Sequence, residues 1–275
     1  MTDDTYLILK MMILLLTIGA VGGFLSGLLG VGGGILFVPA LFFCMTAIGF
    51  DEAHAMHIAI GTSLAVVLVT GGTSAFGHYH RGGVDMDRVR AWAPALVSGV
   101  LGGAFIAGIA STGMLKASFA LITFFIAVYM FFARSPSLTP DKCPIVPGRV
   151  QRSLCAVIGT LSSMIGVGGA IMTVPFMSYM GMPIHRAVGT GAALGILISI
   201  PGTLGYMLMG LWHLDELPPY SVGYVNLLAV AMIIPASILL APMGVQASYT
   251  LPRSILRRVF SVMLIIVSVR MFMTL

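Results

Sequence analysis

Charge is what this sequence has least of: Asp, Glu, Lys and Arg make up 8% of its 275 residues, against 58% hydrophobic. A soluble domain needs about 25% charged residues to cover its surface. The outer surface is therefore expected to face lipid. Cysteine is scarce too: Cys44, Cys143 and Cys155 form no CxxC spacing, which excludes a disulfide framework or a zinc cluster read from spacing. Two tryptophans and the absence of a long basic run exclude a nucleic-acid surface despite a pI near 9.3. No HExxH motif and no paired carboxylate inside an apolar run is present, because the nine acidic residues fall in loops or at segment ends. That argues against an intramembrane enzyme, and no cofactor is expected. Asp3 and Asp4 stand where a signal peptide would be basic, and the apolar stretch behind them outruns one, so a retained membrane segment is expected.

What the sequence does have is apolar runs. Ten are predicted, roughly 7–28, 33–48, 58–77, 91–111 and 115–133, then 152–165, 170–181, 188–209, 222–242 and 255–275. A full crossing takes about 20 residues. The runs 33–48, 152–165 and 170–181 are short, and Gly-rich turns precede the first and last of them. Broken or re-entrant helices are predicted there. Cytoplasmic loops collect Lys and Arg. Loops 78–90, 134–152, 181–187 and 243–258 hold 11 of the 14 basic residues, while the opposite side holds Lys10, Lys116 and Arg270 among acidic residues. The predicted orientation puts those four loops in the cytoplasm and both termini in the periplasm of a bacterial inner membrane.

The two glycine turns, Gly30-Val31-Gly32-Gly33-Gly34 and Gly166-Val167-Gly168-Gly169-Ala170, match at an offset of 136, and Val38-Pro39 recurs as Val174-Pro175. Further along, Gly61-Thr62 recurs as Gly189-Thr190, Gly77 as Gly205, Gly82 as Gly210, and Leu115-Lys116 with Phe119 as Leu256-Arg257 with Phe260. The shared order marks one unit used twice. Five segments per unit is an odd number, so the second copy must be inverted. The expected fold is an all-α integral membrane protein with an inverted-topology repeat, its Gly-rich broken helices meeting near the midplane. Residues 1–133 form the first repeat, 134–150 a cytoplasmic linker and 151–275 the second. Interrupted helices at matching positions of inverted repeats point to a transporter's central site.

Gly27-Leu28-Leu29-Gly30-Val31-Gly32-Gly33-Gly34, Val38-Pro39-Ala40-Leu41 and Gly61-Thr62-Ser63-Leu64 resemble the TauE/SafE family of sulfite exporters, and the second half repeats the signature. Two positions depart from the first copy: Ala170 replaces the last glycine of the turn, and Gly191 replaces the serine after Gly-Thr. The resemblance implies export of sulfite or a sulfonate such as sulfoacetate. The implied partners are that small sulfur-containing anion and the lipid bilayer, with a homodimer left open.

An anion inside a membrane needs compensation for lost hydration. No Lys or Arg falls clearly inside an apolar run, so helix N-termini, with free N–H groups and partial positive charge, are the expected substitute. Gly32, Gly33 and Gly34 would present one such end, and Gly168, Gly169 and Ala170 the other. The hydroxyls of Thr62, Ser63 and Thr190 would complete the shell, with Ser26, Ser162 and Ser163 as further candidates. The same glycines also suit close helix packing, the expected role of the Gly19, Gly23, Gly27 ladder. His54 and His57, near Asp51 and Glu52 at the outer mouth, are proton-coupling candidates; a solvated loop end accounts for them equally. His78 and His80 beside Arg81 form an inner basic cluster. Asn226 is expected to make an interhelical hydrogen bond. A passive anion channel and a thiosulfate-type carrier stay open as alternatives, although Cys44 and Cys155 do not occupy matching places in the repeat.

Overall fold

Each apolar run becomes a helix in the computed structural model, which describes residues 2–29, 33–47, 49–50, 52–132, 146–250 and 253–275. The first five are α1 (Thr2–Leu29), α2 (Gly34–Ala47), α3 (Glu52–Tyr79), α4 (Met86–Ile109) and α5 (Thr112–Phe132). The second five are α6 (Gly148–Ile165), α7 (Ala170–Tyr179), α8 (Ile184–Gly210), α9 (Leu227–Thr250) and α10 (Arg253–Phe272). Five stretches among the described residues are long and apolar enough to cross a membrane. In lipid every backbone polar group must be satisfied within the chain, and a helix does this locally. The chain is a multi-pass, all-α membrane protein.

At 1.5 Å per residue, the 14 residues of α2 reach about 21 Å and the 10 residues of α7 about 15 Å, both short of a ~30 Å hydrocarbon core. Each starts at a glycine turn that is buried within the protein where it is described. Pro39 and Pro175 both occupy the sixth position of their helix, where each removes one N–H from the helical ladder. α3 is the most enclosed of the long helices and packs along α8, α2 and α9.

Helix pairing comes in matched sets. α1 packs on α9 and α6 on α4; α2 lies on α3 and α7 on α8; α3 pairs with α8 and α5 with α10. The glycines responsible also match. On the first interface Gly23 lies on the backbone of Ser237 and Gly244 on that of Phe24; on the other, Gly159 lies on Leu96 and Gly103 on Thr160. A Cβ at any of the four would strike backbone, so only glycine lets these helices approach so closely. Gly19 does the same against Ile233, and the Ser237 hydroxyl donates to the Gly19 carbonyl at 2.8 Å. The Gly19–Gly23 ladder is a packing surface.

Two features depart from the sequence expectation. The run 222–242 does not begin as a helix: Ser221–Val222 (β1) and Val225–Asn226 (β2) form a small antiparallel hairpin behind a 3-10 turn at Leu211–Glu216. Gly223 allows it, at φ +53° and against the backbone of Met207. Asn226, expected inside a span, instead caps α9, its side-chain oxygen accepting the Ala229 N–H at 2.9 Å. The second departure is Lys116, which is 4% exposed at the start of α5. Its ammonium lies 3.3 Å from Glu52, donates to the Thr274 carbonyl at 3.4 Å and sits 4.6 Å from the Phe42 ring centre. A buried cation does exist here, and it already has a carboxylate.

Candidate functional site

The two glycine turns come together beside α3. A Cβ on Gly34 would fall 2.6 Å from the Gly166 carbonyl and 3.1 Å from Val167 Cα, so the first turn of α2 touches the loop that opens α7. Ser63 ties them: its hydroxyl lies 2.9 Å from the Gly166 carbonyl and 3.2 Å from that of Gly34. α8 closes the far side, where Gly195 lies against the Gly168 carbonyl. Gly33 and Gly169 have φ of +75° and +70°, in the left-handed region that lets the chain turn into α2 and α7. Gly33, Gly34, Gly168, Gly169 and Ala170 are all buried. Gly32 lies outside the described residues.

Unspent hydrogen-bonding capacity surrounds these turns. Ser26 and Ser162, each four residues before the first glycine of its turn, are 1% and 0% exposed, and neither hydroxyl has a partner among the described residues. The same holds for Ser163 and Thr173. The Ser162 oxygen stands 3.3 Å from where a Cβ on Gly169 would be. Buried hydroxyls in a membrane protein normally find a partner, since leaving one unpaired costs about 1–3 kcal/mol. Not every backbone donor is free, however: the Gly169 and Ala170 N–H groups bond to the carbonyls of Val167 and Gly168 at 2.8 and 2.9 Å.

Thr62 and Thr190 have a matched structural task. The Thr62 hydroxyl accepts the N–H of Asn226 at 3.0 Å, and Thr190 accepts that of Asp85 at 2.9 Å. Asp85 caps α4 as Asn226 caps α9, accepting the Arg88 N–H at 3.1 Å. Beside them, Gly61 lies against the Tyr224 carbonyl and Gly189 against that of Gly83. Each Gly-Thr pair thus holds the N-terminus of a helix from the other half. The caps differ in one respect, for Asp85 is a carboxylate 3.9 Å from Arg186 and Asn226 is neutral.

At the N-terminal end of α3, His54 and His57 join groups from distant sequence. His54 Nε2 is 2.8 Å from Glu216, and the Tyr224 hydroxyl lies 3.4 Å from His54 Nδ1 and 3.1 Å from His213 Nδ1. His57 is 3% exposed; its Nε2 faces the carbonyls of Ala107 and Ala110 at 3.0 and 3.1 Å, and its Nδ1 has no partner among the described residues. Burial, then the Glu216 carboxylate, hold the Tyr224 phenol above its ordinary pKa. Sequence reading found His54 and His57 but not His213, Glu216 or Tyr224, which lie more than 150 residues away with no local motif. His78 and His80 lie at the C-terminal end of α3, where the His78 carbonyl accepts the Gly83 N–H at 2.9 Å. A cleft of about 110 Å³ between α1, α2 and the hairpin includes Cys44, Tyr220 and Asn226; no glycine-turn residue lines it.

Comparison with known proteins identifies a family of membrane transporters. A family model described as sulfite exporter TauE/SafE matches residues 15–271. A probable membrane transporter protein of Haemophilus influenzae is 34% identical over 266 residues, covering 95% of this chain and 98% of its own. A probable membrane transporter protein of Methanocaldococcus jannaschii is 29% identical over 232 residues, with 81% of each chain covered. One from Bacillus subtilis is 25% identical over 215 residues, covering 72% of this chain and 79% of its own. No solved structure matches the chain.

Proposed function

Because the chain belongs to the TauE/SafE sulfite exporter family and is a membrane transporter, we propose that it is a secondary transporter exporting sulfite or a sulfonate such as sulfoacetate. The anion is held where α2 and α7 begin. The observation that carries this reading is the contact between the two glycine turns with the buried Ser162 hydroxyl beside Gly169, unpartnered among the described residues, and its sequence counterpart Ser26 equally buried and unpartnered among them. Helix N-termini supply partial positive charge and N–H donors, and the serines supply the O–H donors a sulfonate oxygen needs. Gly33, Gly34, Gly168, Gly169 and Ala170 form the cradle. Ser63 keeps the turns together, and Thr62 and Thr190 hold the flanking helices.

The matched helix pairings, glycine contacts and Gly-Thr clamps support reading 1–133 and 151–275 as inverted copies about an axis near the site. The loop charges support a bacterial inner membrane with both termini outside. Burial of both turns favours a carrier that exposes its site to one side at a time over an open anion channel, and no observation favours a second protein in the site.

Ser26→Ala with Ser162→Ala tests the site. Neither hydroxyl has a partner to lose among the described residues, so the double variant should be as stable as the wild type or more so. A ligand binding only the folded state at 100 times its Kd adds about 2.7 kcal/mol. Sulfite or sulfoacetate, unlike chloride, should raise the thermal stability of detergent-purified wild type, and the variant should lose that rise. No response to any sulfur anion refutes the substrate, and an unchanged response in the variant refutes the site.

A further inference from the structure

The outer cluster of His54, His57, His213, Tyr224 and Glu216 exceeds what a solvated loop end requires. Three imidazoles share one neighbourhood: the His54 ring centre is 4.8 Å from that of His213 and 6.0 Å from that of His57, and the His57 and Tyr224 rings are 4.9 Å apart. Glu216, His54, Tyr224 and His213 form one chain of hydrogen bonds in that order. The Tyr224 phenol stays protonated, so it can accept from one imidazole and donate to the other.

This chain is wired to the glycine turns by two routes. The Tyr224 N–H donates to the Tyr206 carbonyl at 3.1 Å, and the Tyr206 hydroxyl donates to the Ser163 carbonyl at 3.2 Å, one residue from Ser162. The second route runs down α3: the Tyr224 carbonyl lies on Gly61, Asn226 is clamped by Thr62, and Ser63 bridges both turns. Tyr224 and the start of α7 are thus joined by an unbroken run of contacts.

We propose that the Glu216–His54–Tyr224–His213 chain, with His57 beside it, binds a proton that is carried with the anion, one proton per anion. This rests on the anion reading above. The groups facing His54 are Glu216 and His213 from the 3-10 turn, Tyr224 from the hairpin and His57 from α3 itself. Glu52, at the start of α3, is paired with Lys116 of α5, Asp215 lies exposed next to Glu216, and the last turn of α4 contributes the Ala107 and Ala110 carbonyls to His57. Lys116 is thus already balanced, and the added proton is the charge that offsets the anion. It resides on an imidazole of the chain, its former site on the other face being solvent water, and leaves with the anion when the site opens to the other side.

The test uses the full-length protein in liposomes with the membrane voltage clamped at zero and sulfoacetate, whose sulfonate does not titrate at these pH values, as the probe. With one coupled proton, each unit of pH gradient should raise sulfoacetate accumulation about tenfold on the alkaline side. The variant His54→Asn with His213→Asn should lose that dependence while still exchanging labelled for unlabelled sulfoacetate without a gradient. If that variant does not fold, Tyr224→Phe, which keeps the ring and breaks the chain, should lower the accumulation instead. Exchange that proceeds with no response to the gradient overturns the coupling alone, as does a folded variant that accumulates like the wild type. Absence of both exchange and binding, for sulfite and sulfoacetate alike, overturns the anion reading and the coupling with it.

Discussion

Thr62→Val removes one oxygen and keeps the shape of the side chain. In the folded protein the Asn226 N–H then loses its acceptor, inside a region where Thr62 is 0% and Asn226 6% exposed. A buried donor left unpaired costs about 1–3 kcal/mol. Hydrogen bonds within membranes measure lower, about 0.6 kcal/mol on average and about 1.7 at most. The two ranges overlap between about 1 and 1.7 kcal/mol, which is the expected loss. Thr190→Val should lose less, because Asp85 is half-buried and water can replace the hydroxyl. The two clamps share no partner, so their effects should add to within about 0.5 kcal/mol. Thr62→Ser, which retains the acceptor, should recover most of the loss, apart from the missing methyl. Reversible unfolding in mixed micelles measures all four variants. A Thr62→Val protein as stable as the wild type, or a Thr62→Ser protein no better than Thr62→Val, would show that the hydroxyl does not hold the α9 cap.

Glu52→Gln should destabilise more than Lys116→Met, by about 1–2 kcal/mol, because the first leaves a buried ammonium unpaired and the second frees only an exposed carboxylate; thermal melts of the two variants decide it. Gly23→Ala should cost about 1–3 kcal/mol by driving a methyl into the Ser237 backbone, whereas Gly102→Ala, with nothing within 4 Å, should be neutral or stabilising. The same melts check that contrast. Ser63→Ala should lower sulfite affinity in the stability screen, since it unties the two turns of the proposed site.

The helices were readable from the sequence because each is an apolar run ended by glycine, proline or charge, and a long run has few other ways to satisfy its backbone. The hairpin at 221–226 was not, because two-residue strands leave no period to detect and Val222 and Val225 extend the apolar pattern of α9. The glycine turns stood out because the same four residues, Gly-Val-Gly-Gly, occur twice. Thr62 and Thr190 were visible as a repeated pair, but their task was not: it depends on Asn226 and Asp85, which are more than 100 residues away. The same limit hid Glu216, His213 and Tyr224 from His54. Lys116 was placed by its loop position, and only the packing of α5 on α10 reveals that its ammonium is enclosed.

Asp85 and Asn226 have a consequence for the proposed inverted repeat. Were the two caps chemically identical, a transporter made of two inverted copies would have no preferred side. A carboxylate beside Arg186 at one cap and an uncharged amide at the other removes that degeneracy. One cap carries an ion pair and its counterpart carries none, a parity violation at a single pair of matched positions. Salt, which screens the Asp85–Arg186 pair and finds no charge to act on at Asn226, should perturb one cap more than the other.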